Sequence, residues 1–326
     1  MILGIFGSPE VIWDRNETLK DYNINAVFIS HKNLNQEIIR RIHKEGAKVF
    51  AEIGIFVGKD IVEKHPDLAP IGVDGRPLAH IKWYMGINPA IDWYREKKLS
   101  EIRETLDKYN IDGLWLDFIR YPCHWEVPNP KLEQSSFDEV SLKKFEKYIG
   151  IEIPGLAIHD KAKWILDNKL EDWTRWKCEQ ITSFCRDTRK IVNTVNPNVI
   201  LGIFSVPWRE DQFGGAIFNI VAQDFKALSQ YIDVFSPMVY HLMCGFPVSW
   251  IRDYSLYLKD KTQKAVVPIV QAIDEPLKLD NFEDVIEVSL DADLNGVIIF
   301  TAQAVFKDEV KIGVFKRHFL SVERGG

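Results

Sequence analysis

Short apolar runs rich in β-branched and aromatic residues recur eight times along this 326-residue chain, and segments with helical periodicity separate most of them. This alternation constrains the fold most, because strands that alternate with helices form right-handed βαβ units and a parallel sheet. Eight such units favour an α/β fold of the closed (β/α)8 barrel type over an open doubly wound sheet. The predicted strands are residues 2–6, 26–30, 48–53, 113–119, 199–205, 234–240, 265–271 and 296–301.

Amphipathic stretches between the strands predict helices at residues 35–45, 94–109, 173–195, 249–258 and 282–292. No glycine-rich phosphate-binding fingerprint follows the first strand, which counts against a dinucleotide-binding fold. The chain shows no low-complexity tract and no convincing linker. We therefore expect residues 1–326 to form a single barrel domain.

The composition excludes several classes of function. A net charge of −6 argues against a general nucleic-acid-binding surface. No apolar run approaches the roughly 18 residues of a membrane helix, and the N-terminus lacks the basic region of a secretory signal. The histidines are scattered, which disfavours a metal site. We expect a cytoplasmic protein without a metal, an organic cofactor, a nucleic-acid partner or a membrane partner.

Four cysteines without a CxxC pair predict neither a disulfide framework nor a zinc cluster. Cys178 and Cys185 lie seven residues apart on a predicted helix, so they share one face of it. They are expected to be buried fillers rather than a redox pair.

Three long connections follow predicted strands three, four and five, at residues 54–89, 121–172 and 207–215. All three leave the carboxyl ends of strands, so they would cover the mouth where such barrels keep their chemistry. Ser136 to Glu139 fits a capping box that opens a helix within the second connection. Aromatic rings suit the C–H faces of a carbohydrate, although each could instead pack its loop onto the barrel. The aromatic residues noted here are Trp83, Tyr84, Tyr121, Trp125, Trp208 and Phe213.

The fourth predicted strand carries a carboxylate near its end. Strand alternation puts Trp115 and Asp117 on one face and Leu116 and Phe118 on the other. In a parallel barrel the first pair points inward, which brings Asp117 to the carboxyl-end mouth. Asp117 either takes part in chemistry there or caps the following loop.

Glycosidic cleavage needs one acid to protonate the leaving oxygen and a second carboxylate as nucleophile or base. Asp117 is our choice for the nucleophile or base, and Glu52 and Asp274 are the leading candidates for the acid, ahead of Glu275 and Glu210. Glu52 could instead pair with a buried cation, and Asp274 and Glu275 could open the next helix, where acids are favoured. The predicted substrate-binding residues are Arg120, Tyr121, Trp208, Glu210, Tyr240, His241, Gln271 and Glu275.

Residues 112–122, DGLWLDFIRYP, resemble a motif of glycosyl-hydrolase-like (β/α)8 barrel proteins, in which Asp-Gly precedes the strand-four aspartate and Arg, an aromatic residue and Pro follow it. Residues 65–89, 173–203 and 236–240 are also similar to those proteins. Together these stretches are spread over nearly the whole chain, with residues that show no similarity between them. The resemblance implies a (β/α)8 fold and action on glycosidic bonds, with Asp117 as the strand-four aspartate.

The sequence departs from the better-known barrel glycosidases. The α-amylase family has an Arg two residues before the strand-four aspartate and an acid on strand five, whereas this chain has Trp115 and only Glu210 beyond the strand. The α-galactosidase-like and α-glucosidase-like barrels place an acid after strand six, where this chain has Tyr240 and His241. The β-glycosidase clan uses glutamates on strands four and seven. The resemblance therefore does not transfer anomeric specificity.

Two other functions remain open on the sequence. A carbohydrate-binding barrel without catalysis is consistent with the absence of an obvious acid. A sugar lyase or isomerase could use Asp117 as a proton-abstracting base. A barrel fold does not choose among these activities.

Overall fold

The structure, a computed structural model, describes residues 1–79 and 84–322. Nine β-strands within these residues form one parallel sheet in the order β7-β6-β5-β4-β3-β2-β1-β9-β8. The strands are β1 (Ile2–Phe6), β2 (Ala26–Ser30), β3 (Lys48–Gly54), β4 (Gly113–Asp117), β5 (Ile200–Ser205), β6 (Val234–Pro237), β7 (Ala265–Val266), β8 (Ile269–Gln271) and β9 (Gly296–Phe300).

The sheet closes on itself at β6 and β8. Met238 follows β6 and forms a parallel bridge with Ile269, and the Val239 N–H donates to the Ile269 carbonyl at 3.0 Å. β7 and β8 occupy one barrel position that is interrupted around Pro268, which has no N–H to donate to the ladder. The eight strand positions therefore form a closed parallel barrel, which confirms the predicted (β/α)8 fold.

Helices follow most strands, and every predicted helical stretch overlaps one. The longest are the helices after β3 and before β5, of 17 and 26 residues. The α-helices of the described residues are α1 (Glu10–Trp13), α2 (Gln36–Lys44), α3 (Lys59–Lys64), α4 (Asp92–Lys108), α5 (Glu139–Ile149), α6 (Ile158–Asn168), α7 (Leu170–Val195), α8 (Ala216–Asn219), α9 (Phe225–Leu228), α10 (His241–Cys244), α11 (Trp250–Thr262), α12 (Phe282–Ser289), α13 (Ala302–Phe306) and α14 (Glu309–Ser321).

The connection between β4 and β5 builds a small core of its own from α5, α6 and the first turns of α7. Phe145 and Trp173 lie at its centre, with ring centroids 4.9 Å apart in an edge-to-face arrangement. The predicted capping box at Ser136 is wrong, because Asp138 is the N-cap of α5 and accepts a hydrogen bond from the Ser141 N–H at 3.0 Å. Ser136 instead adopts a positive φ of 71° outside the helix.

Aromatic side chains fill the barrel interior below the mouth. The Trp115 ring packs against Phe28 and Phe50 at centroid distances of 4.9 and 4.8 Å, and its Nε1–H donates to Ser236 Oγ at 3.0 Å. Gly202 pairs with Trp115 across β4 and β5, and a Cβ at that position would lie 2.2 Å from the indole ring. The glycine therefore leaves the space that the indole occupies.

Candidate active site

Two carboxylates point into the barrel at the carboxyl ends of neighbouring strands. Glu52 on β3 pairs with Trp115 on β4, and Gly54 pairs with Asp117. Paired residues of parallel strands share a face, so Glu52 and Asp117 both face the interior with Trp115. Glu52 Oε1 lies only 3.7 Å from the position that a Gly54 Cβ would take. The Glu52 carboxyl therefore lies beside Gly54, the residue that pairs with Asp117.

Burial separates the protonation states of this pair. Glu52 is 8% exposed, and burial together with the negative charge of Asp117 raises its pKa to about 8. Burial also raises the pKa of Asp117, to about 6, although the Phe118 N–H donates to Asp117 Oδ1 at 2.7 Å and counteracts the increase. Between these values Glu52 keeps its proton while Asp117 is ionised, which is the division of roles that an acid and a nucleophile or base require.

A charged network supports β3 at Glu52. His31 Nδ1 lies 3.2 Å from the Glu52 carbonyl oxygen, and its Nε2 lies 2.5 Å from Glu101 Oε1. The other oxygen of Glu101 accepts a hydrogen bond from the buried Lys98 Nζ at 2.6 Å. Burial alone would raise the pKa of Glu101, but the hydrogen bonds from His31 and Lys98 hold it at about 2. Lys98 and Lys32 also act on the Glu52 carboxyl, whose pKa they lower against the effect of burial.

An open cleft of about 830 Å³ leads from the solvent to Glu52. Its walls come from the ends of β2 and β3, the first turn of α3 and one side of α4, and they include Ser30, Gly54, Lys59 and Phe118. Asp117 itself is partly exposed. The cleft therefore gives a ligand access to Glu52, whereas Asp117 is not among the residues that line it.

Glu126, which the sequence analysis did not single out, is a further carboxylate whose charge acts on Asp117. It belongs to the connection after β4, and its negative charge contributes to the raised pKa of Asp117. Burial raises the pKa of Glu126 itself, against the lowering effect of Arg120 and His124. The sequence showed only that Glu126 is a carboxylate nine residues after Asp117. Strand alternation does not predict the path of the loop that carries it.

Arg120 is a predicted substrate-binding residue whose guanidinium is already partly engaged. Its NH1 donates to the Tyr84 hydroxyl and to the Cys123 carbonyl oxygen, both at 3.0 Å. Its Nε is buried and has no hydrogen-bond partner in the described part of the chain. Arg120 therefore holds the first turn of the loop after β4 and keeps a positive charge near Asp117.

Tyr240, His241 and Gln271 lie on the opposite wall of the barrel. The Tyr240 ring stacks on Trp125 at 5.9 Å, and burial together with the charges of Glu126 and Asp117 raises the pKa of its hydroxyl. His241 is buried, and its Nε2 lies 3.4 Å from Asn281 Nδ2. Gln271 is fully buried and donates to the Ile273 carbonyl oxygen at 2.9 Å. Of these residues, Tyr240 is the one whose pKa is affected by the charges of Asp117 and Glu126.

Tyr121 and Trp208 are packed into the protein. Tyr121 is fully buried, its N–H donates to the Val221 carbonyl, and Lys177 Nζ lies 4.7 Å from its ring centroid. Trp208 is 2% exposed and contacts Phe213, with ring centroids 5.0 Å apart. The structure therefore gives these residues a packing role, and it argues against their predicted contact with substrate. Trp83 lies outside the described residues.

In the described residues, no contact links the carboxylate pair of Glu52 and Asp117 to the three other predicted acids, Asp274, Glu210 and Glu275. Asp274 Oδ2 accepts a hydrogen bond from Lys311 Nζ at 2.6 Å, and this bond lowers the pKa of Asp274. Glu210 forms an ion pair with Lys261 at 2.7 Å, and Glu275 is exposed. A carboxylate stabilised in its ionised form is a poor proton donor, so the structure argues against Asp274 as the general acid.

Residues 10–271 match the model of a protein family described as "Putative glycosyl hydrolase domain". The chain belongs to this family. The description of this family agrees with the resemblance seen in the motif at residues 112–122. Within the described residues, no helix is long and apolar enough to cross a membrane, and no cluster of three or more His, Cys, Asp or Glu side chains is arranged to hold a metal ion.

Solved structures of glycosyl hydrolases share the barrel of this family member. The glycoside hydrolase domain of PgaB (BpsB) from Bordetella bronchiseptica is 12% identical, with a TM-score of 0.73 over 99% of this chain and 100% of that chain. A β-galactosidase from the psychrophilic Marinomonas ef1 is 15% identical, with a TM-score of 0.69 over 92% of this chain and 54% of that chain. These similarities show the fold.

A curated relative is the S-layer-related protein of Niallia circulans, which is 25% identical over 116 residues. The match covers 33% of this glycosyl hydrolase family member and only 7% of the S-layer-related protein. The chain thus spans about half the length of the β-galactosidase above and a small part of this relative.

Proposed function

We propose that the protein hydrolyses glycosidic bonds in an oligosaccharide or glycoside, with Glu52 as the general acid and Asp117 as the nucleophile or base. One observation carries this proposal. Two carboxylates lie on the interior face of adjacent strand ends. Burial and the charge of Asp117 raise the pKa of Glu52, which favours its protonated form.

In the proposed reaction, the Glu52 proton passes to the oxygen of the leaving group as the bond from that oxygen to the anomeric carbon breaks. Asp117 either attacks the anomeric carbon, forming a glycosyl-enzyme ester that water then cleaves, or removes a proton from an attacking water. In both courses water is consumed and both carboxyls return to their starting states. The negative charge of Asp117 also stabilises the positive charge that develops on the sugar ring.

Arg120 and Tyr240 complete the immediate surroundings of the proposed pair. Arg120 keeps a guanidinium near Asp117, which favours the ionised nucleophile or base. Tyr240 presents a hydroxyl whose proton is firmly held, so it can donate a hydrogen bond to the substrate. We also propose a cytoplasmic location, which fractionation of the native organism would test.

The first experiment compares the wild type with Asp117→Asn on a panel of aryl glycosides and oligosaccharides. We expect the variant to lose at least about 10³-fold in kcat/KM, because the proposed roles of Asp117 require its negative charge. Asp107→Asn is the matched control, since Asp107 is exposed in the last turn of α4, which precedes the start of β4. Circular dichroism checks that all three proteins are folded.

The products distinguish the alternatives. Equal activity of the wild type and Asp117→Asn would remove Asp117 from the chemistry. Products with a new double bond, or isomerised sugars formed without water, would indicate a lyase or an isomerase. Tight glycan binding without turnover, unchanged in Asp117→Asn, would indicate a binding protein.

A further inference from the structure

The cleft that opens onto Glu52 carries more positive than negative side chains. Besides Glu52, three acids line it, namely Asp60, Glu101 and Glu104. The whole protein has a net charge of −6, so a local excess of cations is unusual for it. Four lysines from three elements line the cleft, one after β2, one at the start of α3 and two on α4: Lys32, Lys59, Lys97 and Lys98.

The acids of the cleft do not neutralise two of these lysines. Both oxygens of Glu101 are taken by His31 and Lys98. Glu104 accepts a hydrogen bond from Ser100 Oγ at 2.9 Å. Within residues 1–79 and 84–322, neither Lys32 nor Lys97 forms an ion pair. Both are exposed, so their charges are open to a ligand in the cleft.

Lys98 adds a buried ammonium with unused donors. Its side chain lines the cleft although the residue is only 5% exposed. An ammonium has three N–H groups, and Glu101 is the one acceptor that Lys98 Nζ has in the described part of the chain. The positive charge of Lys32 also acts on Lys98. Buried donors without acceptors and neighbouring like charges are both unfavourable, so a bound anion would relieve both.

The place of the cleft beside Glu52 indicates which part of a substrate would occupy it. A general acid has to reach the oxygen of the leaving group. Glu52 lines the cleft, whereas Asp117 does not. The leaving group therefore lies on the side of the cleft, and the lysines surround that part of the substrate.

We propose that this cleft binds an anionic substituent on the leaving sugar, with Lys98 as an enclosed hydrogen-bond donor and Lys32 and Lys97 as unpaired charges nearer the solvent. Carboxylates, sulfate esters and phosphate esters share the chemistry that these ammonium groups recognise, which is negative charge on several acceptor oxygens. The inference rests on the proposed function, since it takes Glu52 to be the general acid. It identifies the substrate class as acidic oligosaccharides.

The test uses pairs of disaccharides that share one glycosyl residue and one linkage and differ only in whether the leaving sugar carries a carboxylate. The glycosyl residue is the one that the wild type cleaves best in the aryl glycoside panel. The measured quantity is the ratio of kcat/KM for the acidic disaccharide to kcat/KM for the neutral one. We expect the wild type to favour the acidic disaccharide by about 10- to 100-fold, the range for hydrogen bonds to charged groups.

The double variant Lys32→Gln, Lys97→Gln should lower this ratio by about 10-fold, because each exposed charge contributes a few-fold. Added salt should lower the ratio in the wild type by screening the same charges. Lys48→Gln is the matched control and should leave the ratio unchanged. Lys48 is exposed on the same strand as Glu52 but at its amino end, on the opposite side of the barrel.

The same disaccharides with a sulfate or a phosphate ester on the leaving sugar identify the preferred anion. A preference for any of the three anions that falls in the double variant supports the proposal. Equal kcat/KM for acidic and neutral disaccharides would overturn it. A preference that the double variant retains in full, or that Lys48→Gln lowers equally, would also overturn it.

Failure of the proposed function gives a different result. If the wild type cleaves none of these compounds, calorimetry compares its binding of the acidic and neutral disaccharides with that of the double variant. Tighter binding of the acidic disaccharide that the double variant loses would keep the anion site and reject the hydrolase. Equal binding of the two disaccharides, or binding of neither, would overturn the anion site as well.

Discussion

Glu52 and Asp117 carry the same functional group, but their surroundings give the two carboxyls different pKa values. Glu52 is enclosed one layer below the mouth, where burial and the charge of Asp117 favour its neutral form. Asp117 is partly exposed and receives the Phe118 N–H, which favours its ionised form. Separation of two carboxyl pKa values by environment is a recurring basis for acid and base roles in one site.

Activity is expected to require ionised Asp117 and protonated Glu52, so kcat/KM should rise with pH through about 6 and fall through about 8. Glu52→Gln cannot donate the proton, and we expect a loss of about 10²- to 10⁴-fold on glycosides with poor leaving groups. The loss should be much smaller with 2,4-dinitrophenyl glycosides, and the fall near pH 8 should disappear. Steady-state pH profiles of both proteins provide the measurement.

An equal loss on good and poor leaving groups would contradict the acid role of Glu52. A fall in activity near pH 8 that persists in Glu52→Gln would assign that ionisation to another group.

At the scale of elements, a small residue on one strand leaves space for a large side chain of the neighbouring strand. Gly202 on β5 leaves room for the Trp115 indole. Trp115 in turn lies directly below Asp117 on β4 and is held by its hydrogen bond to Ser236. The position of the proposed pair therefore depends on packing that reaches across three strands.

Gly202→Ala is expected to destabilise the protein by about 3 kcal/mol, because its Cβ would lie 2.2 Å from an indole that is surrounded by aromatic rings. Gly313→Ala is the matched control. Gly313 lies within α14 and has only the end of a flexible side chain, Arg317 NH1, within 4 Å. That substitution should raise stability by up to about 1 kcal/mol through helix propensity. Urea unfolding measures both, and a Gly202→Ala protein as stable as the wild type would contradict this account.

At the scale of the whole molecule, one helix joins the two cores. Trp173 and Trp176 at the start of α7 belong to the small core of the connection after β4. Ile181 and Phe184 further along α7 belong to the barrel core. Since α7 is continuous over 26 residues, the small core cannot separate from the barrel without breaking this helix. This connection favours the predicted single domain.

We therefore predict one thermal transition, shared by far-ultraviolet circular dichroism and tryptophan fluorescence. Phe145→Ala, which empties the centre of the small core, should lower the midpoint of that one transition, since such truncations cost about 3–5 kcal/mol. Leu156→Ala is the control, because Leu156 is fully exposed in the same connection. A separate, earlier transition in Phe145→Ala would show that the small core unfolds as an independent domain.

The sequence by itself determined the barrel and the inward face of its fourth strand. β1 and β2 match their predicted bounds, because the period of two along a strand is a local property that buried faces impose directly. Strand ends were less predictable. The fourth strand stops at Asp117 because Phe118 adopts a positive φ of 50°, and the seventh is divided around Pro268.

Only the tertiary structure decided which carboxylates accompany Asp117. Asp274 and Glu52 were equal candidates in the sequence, but Lys311 from α14 pairs with Asp274, whereas β3 places Glu52 inside the barrel beside β4. The loop that carries Glu126 packs against residues more than 100 positions later, since Trp125 stacks on Tyr240. Strand alternation encodes which way a side chain points, whereas the partners of a loop carboxylate depend on contacts between distant parts of the chain.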